Sequence, residues 1–264
     1  MKLKVSVIGT GYLGATHAAC MSSLGFEVIG VDVDASKIAL LTAGKVPFYE
    51  PGLEDLLQRE IASGRLTFST DFNAIADADV HFICVGTPQV KGGNAADLTY
   101  VNSALESIAK IVKPGGLVVG KSTVPVGTAT RLRNRLIELN PNADLAWNPE
   151  FLREGFAVED TLRPNRLVVG VTNDNSEKIL KEVYAINLKE NTPWVRADLP
   201  TAELVKVAAN SFLATKISFI NAMAEICEAA GGDVTILAKA IGYDPRIGSR
   251  FLQAGIGFGG GCLP

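Results

Sequence analysis

The chain has 264 residues, of which 47% are hydrophobic and 20% charged, with a formal net charge of −3. This composition is typical of a globular protein with a sizeable core, and it lacks the basic excess expected for general nucleic-acid binding. We expect no secretory signal and no membrane span, because no run of about 18 apolar residues occurs. The four scattered cysteines and two histidines show no metal-ligand spacing. They argue against a metal site and favour a reduced, cytoplasmic setting.

Short apolar runs alternate with segments of helical periodicity over most of the chain. The runs are continuous, which is typical of parallel strands buried on both faces. The predicted strands are LKVSVI, EVIGVD, VHFICV, LVVGKS and RLVVGV. The predicted helices span residues 12–25, 35–43, 50–62, 97–111, 127–139 and 175–185. This order predicts an α/β fold with a Rossmann-like, doubly wound parallel sheet over residues 1–198.

A different pattern begins at residue 199. One helix of about 30 residues, or roughly 45 Å, is predicted there. Pro200 suits its first turn, Gly231 and Gly232 end it, and Asp233 is a candidate N-cap for a shorter helix. A helix this long and apolar needs a covering surface, which is either a second domain or another subunit. We therefore expect residues 199–264 to form a long central helix and a small helical segment that supports a homodimer.

The first predicted strand runs directly into a glycine-rich turn. Gly9, Gly11 and Gly14 have the GxGxxG spacing at the mouth of a helix, and the next strand ends in Asp32. Such glycines allow a tight turn and a close approach to a pyrophosphate, and the carboxylate binds a ribose diol, which favours NAD over NADP. Glycines that serve packing alone are the alternative. Other predicted cofactor contacts are Tyr12, Leu13 and Lys37.

Two further turns follow predicted strands. CVGTPQ (84–89) and KSTVPVGT (121–128) lie at carboxyl ends of strands, where open α/β sheets bind their ligands. Thr87, Ser122 and Thr123 are therefore candidates for contact with ribose, nicotinamide or a water. The alternative is that these Ser/Thr-Pro turns are only loop connections.

Four later segments contain polar groups suited to an oxidation. NPEFLREG (148–155) contains two carboxylates, VKVAANS places Lys206 and Asn210 on one helix face, and DPRIGSRF contains two arginines. GFGGGC adds a cysteine among glycines. Taken singly, each is more often a solvated patch or a buried thiol. Besides those named, the candidates are Glu150, Arg153, Glu154, Arg246, Arg250 and Cys262.

The motifs in this order resemble those of the nucleotide-sugar dehydrogenases. GxGxxG, YEPGL (49–53), TPQ, KSTVPVGT, NPEFLREG, AELVKVAAN and GFGGGC follow one another over nearly the whole chain. The resemblance is greatest to the branch that oxidises UDP-glucose to UDP-glucuronate with two NAD⁺. NPEFLREG argues against the UDP-N-acetylmannosamine branch, whereas GDP-mannose dehydrogenases stay an alternative.

The resemblance also implies roles for individual residues. Cys262 is implied as the nucleophile that forms a thiohemiacetal and then a thioester. Lys206, with a water held by Thr123, is implied as the base, and Lys206 with Asn210 as the oxyanion site. Glu150 is implied as the group that activates the hydrolytic water. Implied substrate contacts are Phe151, Leu152, Arg153, Glu154, Arg246, Phe251 and Gly259, with Thr87, Thr123 and Glu154 also assigned to the cofactor site.

Members of the family continue beyond the cysteine into a second α/β domain that binds the uridine diphosphate. The resemblance therefore implies that this chain is the cofactor-binding portion with the central helix. Two other functions stay open on sequence grounds. One is a non-catalytic NAD-binding and dimerisation module, and the other is a two-electron 3-hydroxyacid dehydrogenase, whose chemistry gives a thiol no role.

Overall fold

A computed structural model describes residues 3–256, in a chain that divides into two compact units between Leu204 and Val205. The first unit contains a single sheet with its helices, and the second contains most of the long predicted helix. Cys262 and Gly259, both assigned to the site on sequence grounds, lie outside the described residues.

One eight-stranded sheet forms the centre of the first unit. Its strands are β1 (Lys4–Ile8), β2 (Glu27–Val31), β3 (Leu66–Ser69), β4 (Val80–Ile83), β5 (Leu117–Gly120), β6 (Asp144–Trp147), β7 (Leu167–Gly170) and β8 (Trp194–Ala197). They are arranged in the order β3-β2-β1-β4-β5-β6-β7-β8. Neighbours are parallel, except that β6 and β7 meet antiparallel at Trp147 and Gly170. The predicted α/β, doubly wound fold is confirmed, with one antiparallel junction in the sheet.

The helices connect the strands and continue into the second unit. They are α1 (Tyr12–Ser23), α2 (Ala35–Thr42), α3 (Leu53–Ala62), α4 (Thr99–Ala109), α5 (Thr128–Leu139), α6 (Ala157–Leu162), α7 (Asp174–Val183), α8 (Ala185–Lys189), α9 (Leu199–Ala230) and α10 (Val234–Gly242). A 3-10 turn (Phe72–Ile75) lies between β3 and β4. All six helices predicted between the strands are present, and the long helix from residue 199 is confirmed.

The sheet core is built from the apolar runs that the sequence shows. Val5 and Val7 of β1 and Phe82 of β4 are fully buried. A Cβ on Gly120 of β5 would lie 2.0 Å from the ring of Trp147 on β6, so only glycine leaves room for that buried indole. Burying one large apolar side chain contributes roughly 1.5–3 kcal/mol to stability. The carboxyl ends of the central strands are thereby held in fixed positions.

Glu203 fixes the turn that follows β5. Its side chain is 2% exposed and accepts hydrogen bonds from the backbone N–H groups of Gly127, at 2.7 Å, and Ala129, at 2.6 Å. Both groups belong to the start of α5, where helix N–H groups have no intrahelical partner. Burial raises the pKa of Glu203, although these N–H groups act in the opposite direction. Glu203, near the start of α9, therefore caps α5 within the first unit.

The described part of the second unit contains the rest of α9, then α10, then a segment without helix over residues 243–256. Gly231, at φ +75°, follows α9, and Gly232 N–H donates to Cys227 O at 2.7 Å, as expected for a helix stop. The Asp233 carboxylate accepts from Thr235 N–H and Ile236 N–H, which confirms the predicted N-cap of α10. Among residues 3–256, no helix has both the length and the apolarity needed to cross a membrane.

Candidate functional site

The glycine turn between β1 and α1 leaves an opening at the helix start. Gly9 has φ +84°, and a Cβ there would lie within 2.9 Å of Val85. A Cβ on Gly14 would lie 1.8 Å from Gly9 O, so both positions require glycine. Gly11, by contrast, has no atom within 4 Å of such a Cβ, and it precedes α1 without a side-chain cap. The first N–H groups of α1 therefore face an open approach that suits a pyrophosphate.

Asp32 follows β2 and is held as a carboxylate. Its Oδ2 accepts from Thr10 N–H at 2.8 Å and from Lys37 Nζ at 2.8 Å, and its Oδ1 accepts from Asp34 N–H at 3.1 Å. Burial by itself would raise its pKa, but the Lys37 ammonium and these backbone N–H groups hold the pKa below its ordinary value. The oriented anion is suited to a ribose diol and opposes a 2′-phosphate.

A cleft of about 650 Å³ opens beside these groups, at the carboxyl ends of β1, β2 and β4. Its position is the switch point of the strand order, where open α/β sheets bind ligands. Its far wall comes from α4 and the 3-10 turn, which sequence reasoning missed. The spacing of residues 100, 103 and 107 on the predicted helix would have indicated this shared face. Lining residues include Gly9, Gly11, Asp32, Asp34, Lys37, Val85, Phe72, Tyr100, Ser103 and Ser107.

We predict that Asp32→Ala weakens NAD⁺ binding about 10- to 100-fold, since a hydrogen bond to a charged group contributes about 1.5 to 3 kcal/mol. The same change releases Lys37 from its ion pair, so the preference for NAD⁺ over NADP⁺ should fall further. Titration calorimetry with both dinucleotides measures the two effects. Asp55→Asn, an exposed acidic position on α3, is the matched control. Equal NAD⁺ affinity in Asp32→Ala and in the unmodified chain would contradict this role.

The turns after β4 and β5 are joined by two hydrogen bonds. Thr87 Oγ1 donates to Thr123 O at 2.7 Å, and Ser122 Oγ donates to Val85 O at 2.6 Å. The structure thus brings Thr87 and Thr123 together, because β4 and β5 are neighbouring parallel strands. The Ser122 hydroxyl is buried, and its hydrogen bond to Val85 O links the two turns.

The loop at residues 148–156 is anchored by a buried polar network. Asn148 Oδ1 accepts from Lys121 Nζ at 3.0 Å and from Tyr184 Oη at 2.6 Å, and Asn148 Nδ2 donates to Val168 O. Because a buried cation and amide need partners, this network fixes where the loop begins. It borders a small cavity of about 60 Å³.

That cavity brings together several of the predicted site residues. Glu150 Oε2 accepts from Leu152 N–H at 2.6 Å, which orients the carboxylate within the loop. The ring of Phe151 lies 3.9 Å from the Arg166 guanidinium carbon. The cavity wall includes Leu13, His17, Lys121, Glu150, Phe151, Leu152 and Arg166. Leu13 thus lies beside the 148–156 loop.

Arg153 and Glu154 occupy the exposed part of the same loop. The Arg153 guanidinium donates two hydrogen bonds to the carboxylate of Asp160, at 2.7 and 2.9 Å, and its carbon lies 4.7 Å from the ring centroid of Phe156. Glu154 is exposed. The predicted contacts of both residues with ligands stay predictions, as does that of Tyr12, whose hydroxyl donates to Glu50.

The second unit contains the other predicted residues. Lys206 and Asn210 lie four residues apart on α9. Arg246 pairs with Asp244 at 2.6 Å and is exposed, as is Arg250. Phe251 has φ +63°, a backbone conformation that favours glycine. The roles predicted for these residues, and for Cys262 and Gly259, stay predictions.

Two of the buried cysteines, Cys20 and Cys84, have unreactive thiols. Burial raises the pKa of both Cys20 and Cys84 to about 12, so these thiols stay protonated near neutral pH. Within residues 3–256, no cluster of three or more His, Cys, Asp or Glu side chains is arranged to hold a metal ion.

The strand order, the open helix start and the oriented Asp32 define a dinucleotide-binding Rossmann domain. Residues 3–187 match the NAD binding domain of the UDP-glucose/GDP-mannose dehydrogenase family, and residues 200–264 match its central domain. The chain belongs to the UDP-glucose/GDP-mannose dehydrogenase family, and NAD is its cofactor.

Three relatives illustrate the similarity. UDP-glucose 6-dehydrogenase of Rhizobium meliloti is 45% identical over 267 residues, which are 99% of this chain and 61% of the relative. A UDP-glucose dehydrogenase structure from Pyrobaculum islandicum has a TM-score of 0.93 and 40% identity, covering 100% of this chain and 62% of that one. A GDP-mannose dehydrogenase from Pseudomonas aeruginosa has a TM-score of 0.87 and 36% identity, covering 99% and 62%. This chain therefore spans about three fifths of their length.

Proposed function

We propose that the chain acts in the NAD-dependent, four-electron oxidation of UDP-glucose to UDP-glucuronate. The observation that carries the proposal is 45% identity over 99% of this chain to a UDP-glucose 6-dehydrogenase. The cleft beside Asp32 supports the proposal, because its lining includes the glycine turn and the Asp32 carboxylate, which suit the binding of NAD.

The residues present fit the cofactor. The open space at Gly11 and the unpaired N–H groups at the start of α1 suit the pyrophosphate, and the Asp32 carboxylate suits the adenosine ribose. The turns containing Thr87 and Thr123 lie at the carboxyl ends of the next strands. When bound, NAD⁺ supplies the hydride acceptor for the reaction.

The proposed reaction balances in four steps. Cleavage of a C6–H bond and the hydroxyl O–H bond releases a hydride and a proton and leaves an aldehyde. The Cys262 thiolate adds to the aldehyde carbon, and uptake of a proton by the resulting oxyanion gives the thiohemiacetal. Loss of a second hydride from C6 and of the hydroxyl proton then turns the thiohemiacetal into a thioester. Water then breaks the C–S bond, which releases the carboxylate and restores the thiol. Two hydrides leave for each sugar.

Four other residues assist these steps in the proposal. Lys206 accepts the hydroxyl proton, with a water held by Thr123, and Lys206 with Asn210 stabilises the oxyanion of the thiohemiacetal. Glu150 removes a proton from the hydrolytic water. The hydrogen bond from Leu152 N–H to Glu150 Oε2 supports this role, because it fixes the direction of the carboxylate.

The proposal is tested by counting NADH formed per UDP-glucose consumed in excess NAD⁺. Two equivalents are expected from the four-electron reaction. One equivalent would contradict the thioester route and favour a two-electron oxidation. No NADH, with NAD⁺ binding intact, would overturn the proposed activity for this chain and favour a module that binds NAD without catalysis.

GDP-mannose is the second candidate substrate, because a GDP-mannose dehydrogenase shares the fold at 36% identity. The same assay with GDP-mannose separates the two. Faster NADH formation with GDP-mannose than with UDP-glucose would assign the chain to that branch.

We also propose that α9 mediates a homodimer. Phe212, Phe219 and Ile226 of α9 are seven residues apart, and their side chains are 66%, 48% and 57% exposed. Such a spacing places apolar side chains along one stripe of a helix, which a second copy can cover. Sedimentation at micromolar concentration should give a dimer, and a monomer there would refute the proposal.

A further inference from the structure

Glu50 is a buried carboxylate outside the cofactor cleft. It belongs to the YEPGL segment that precedes α3, and its side chain is only 4% exposed. A buried carboxylate is costly unless hydrogen-bond donors surround it. The hydrogen-bond donors around Glu50 therefore show which segments of the chain this carboxylate connects.

Three donors from two distant segments meet at this carboxylate. Glu50 Oε1 accepts from Ala157 N–H at 2.8 Å, and Oε2 accepts from Gly155 N–H at 2.9 Å and from the Tyr12 hydroxyl. Gly155 and Ala157 lie at the end of the 148–156 loop and at the start of α6. Tyr12 is the first residue of α1. Glu50 thus joins the glycine turn to the 148–156 loop.

The Tyr12 side chain is fixed by its contacts with Phe48 and Glu50. Its ring centroid lies 5.0 Å from that of Phe48. Burial and the adjacent Glu50 carboxylate raise the pKa of the Tyr12 hydroxyl, so the hydroxyl stays a donor at neutral pH. Tyr12 directly follows Gly11, which lines the cofactor cleft. A dinucleotide that restrains the start of α1 therefore also restrains the Tyr12 side chain.

The 148–156 loop, which Glu50 contacts at Gly155, also contains Glu150 and Glu154. The 148–156 loop is fixed at its beginning by the Asn148 network and near its end by Glu50. Both carboxylates lie between these two anchors. A shift of the anchor at Gly155 would therefore change where they point.

We propose that Glu50 is a positioning residue that couples occupancy of the cofactor cleft to the geometry of the 148–156 loop. The importance of the coupling for catalysis rests on the proposed function, whereas the coupling itself does not. Because linkage is reciprocal, cofactor binding should stabilise the hydrogen bonds at Gly155 and Ala157.

The experiment measures amide hydrogen exchange by ¹⁵N NMR, with and without saturating NAD⁺ and without any sugar. In the unmodified chain, NAD⁺ should slow exchange at Gly155 and Ala157 severalfold. In Tyr12→Phe, which keeps both backbone hydrogen bonds to Glu50, the effect of NAD⁺ on these amides should disappear. In Glu50→Gln, exchange at both amides should be about tenfold faster even without NAD⁺.

Tyr49→Phe is the matched control, because it removes a hydroxyl next to Glu50 from a side chain that is 87% exposed. It should behave like the unmodified chain, and the amides of β5 should be unchanged in every variant. Retention of the full NAD⁺ effect in Tyr12→Phe would overturn the proposal. So would the absence of any NAD⁺ effect at Gly155 and Ala157 in the unmodified chain. If the coupling is seen but UDP-glucose yields no NADH, only the proposed function fails.

Discussion

Replacement of Cys262 by alanine is expected to lower NADH formation from UDP-glucose by at least about a thousandfold, a loss on the scale seen when a covalent nucleophile is removed. The proposed thiohemiacetal and thioester both need a C–S bond at this residue, and water is a weaker nucleophile than a thiolate. Stopped-flow measurement of NADH absorbance, with calorimetry of NAD⁺ binding on the same samples, tests the prediction. NAD⁺ affinity should be unchanged, because the cofactor cleft is built from the first unit.

Cys227→Ala is the control for this experiment. Cys227 lies on α9 and is buried, so its removal changes a packing side chain without removing the proposed nucleophile. It should retain activity. If Cys262→Ala retains activity as well, the thioester route is wrong and the two-electron hydroxyacid dehydrogenase becomes the better explanation.

The second large effect is a loss of stability in mild acid through His81. This residue of β4 is fully buried, and its Nδ1 lies 2.8 Å from Ser6 Oγ. Burial, followed by the nearby Lys113, lowers the pKa of His81 to about 4, against the opposing influence of Asp79 and Asp77. Burial and Lys121 likewise lower the pKa of His17.

The direction of the effect follows from proton uptake. The folded chain keeps His81 neutral down to about pH 4, whereas the unfolded chain binds a proton near pH 6.5. Between these values the unfolded state binds more protons, so stability falls as the pH falls. His81 alone should remove about 2 kcal/mol between pH 7.5 and pH 5. Carboxylates with lowered pKa values lose their contribution only at lower pH.

Urea unfolding at pH 7.5 and pH 5 measures this loss. Both tryptophans, Trp147 and Trp194, lie in the first unit, so their fluorescence reports on the unit that contains His81. His81→Asn keeps an acceptor near Ser6 but cannot titrate. It should lose about 2 kcal/mol less than the unmodified chain over this interval. Equal losses in the two proteins would show that His81 does not govern the acid sensitivity.

Local sequence was sufficient to predict the elements that have an apolar run, a glycine motif or a capping residue. The predicted strands that became β1, β2, β4, β5 and β7 are apolar runs, and runs of this type are stable only when covered on both faces. The glycine turn was predictable because two of its constraints are local: Gly9 has a positive φ, and a Cβ on Gly14 would meet Gly9 O. The N-cap at Asp233 is a local interaction in the same way.

Three strands were missed because their own residues do not specify them. β3, β6 and β8 are four-residue segments that include polar side chains, and their ladders form only against strands already in place. β8 is an edge strand with exposed residues, so it has no continuous apolar run. The antiparallel junction of β6 and β7 likewise depends on how the chain returns to the sheet.

By itself, the sequence determined the α/β class, the dinucleotide turn with Asp32 and the helix from residue 199, because each follows from periodicity or from the spacing of a motif along the chain. Only the tertiary structure decided that α4 lines the cleft, that Thr87 bonds to Thr123, and that Glu50 connects α1 with the 148–156 loop. Glu50 bonds to backbone groups 105 and 107 residues away. No local pattern encodes such a contact, since a buried carboxylate is stable wherever the fold gathers enough donors.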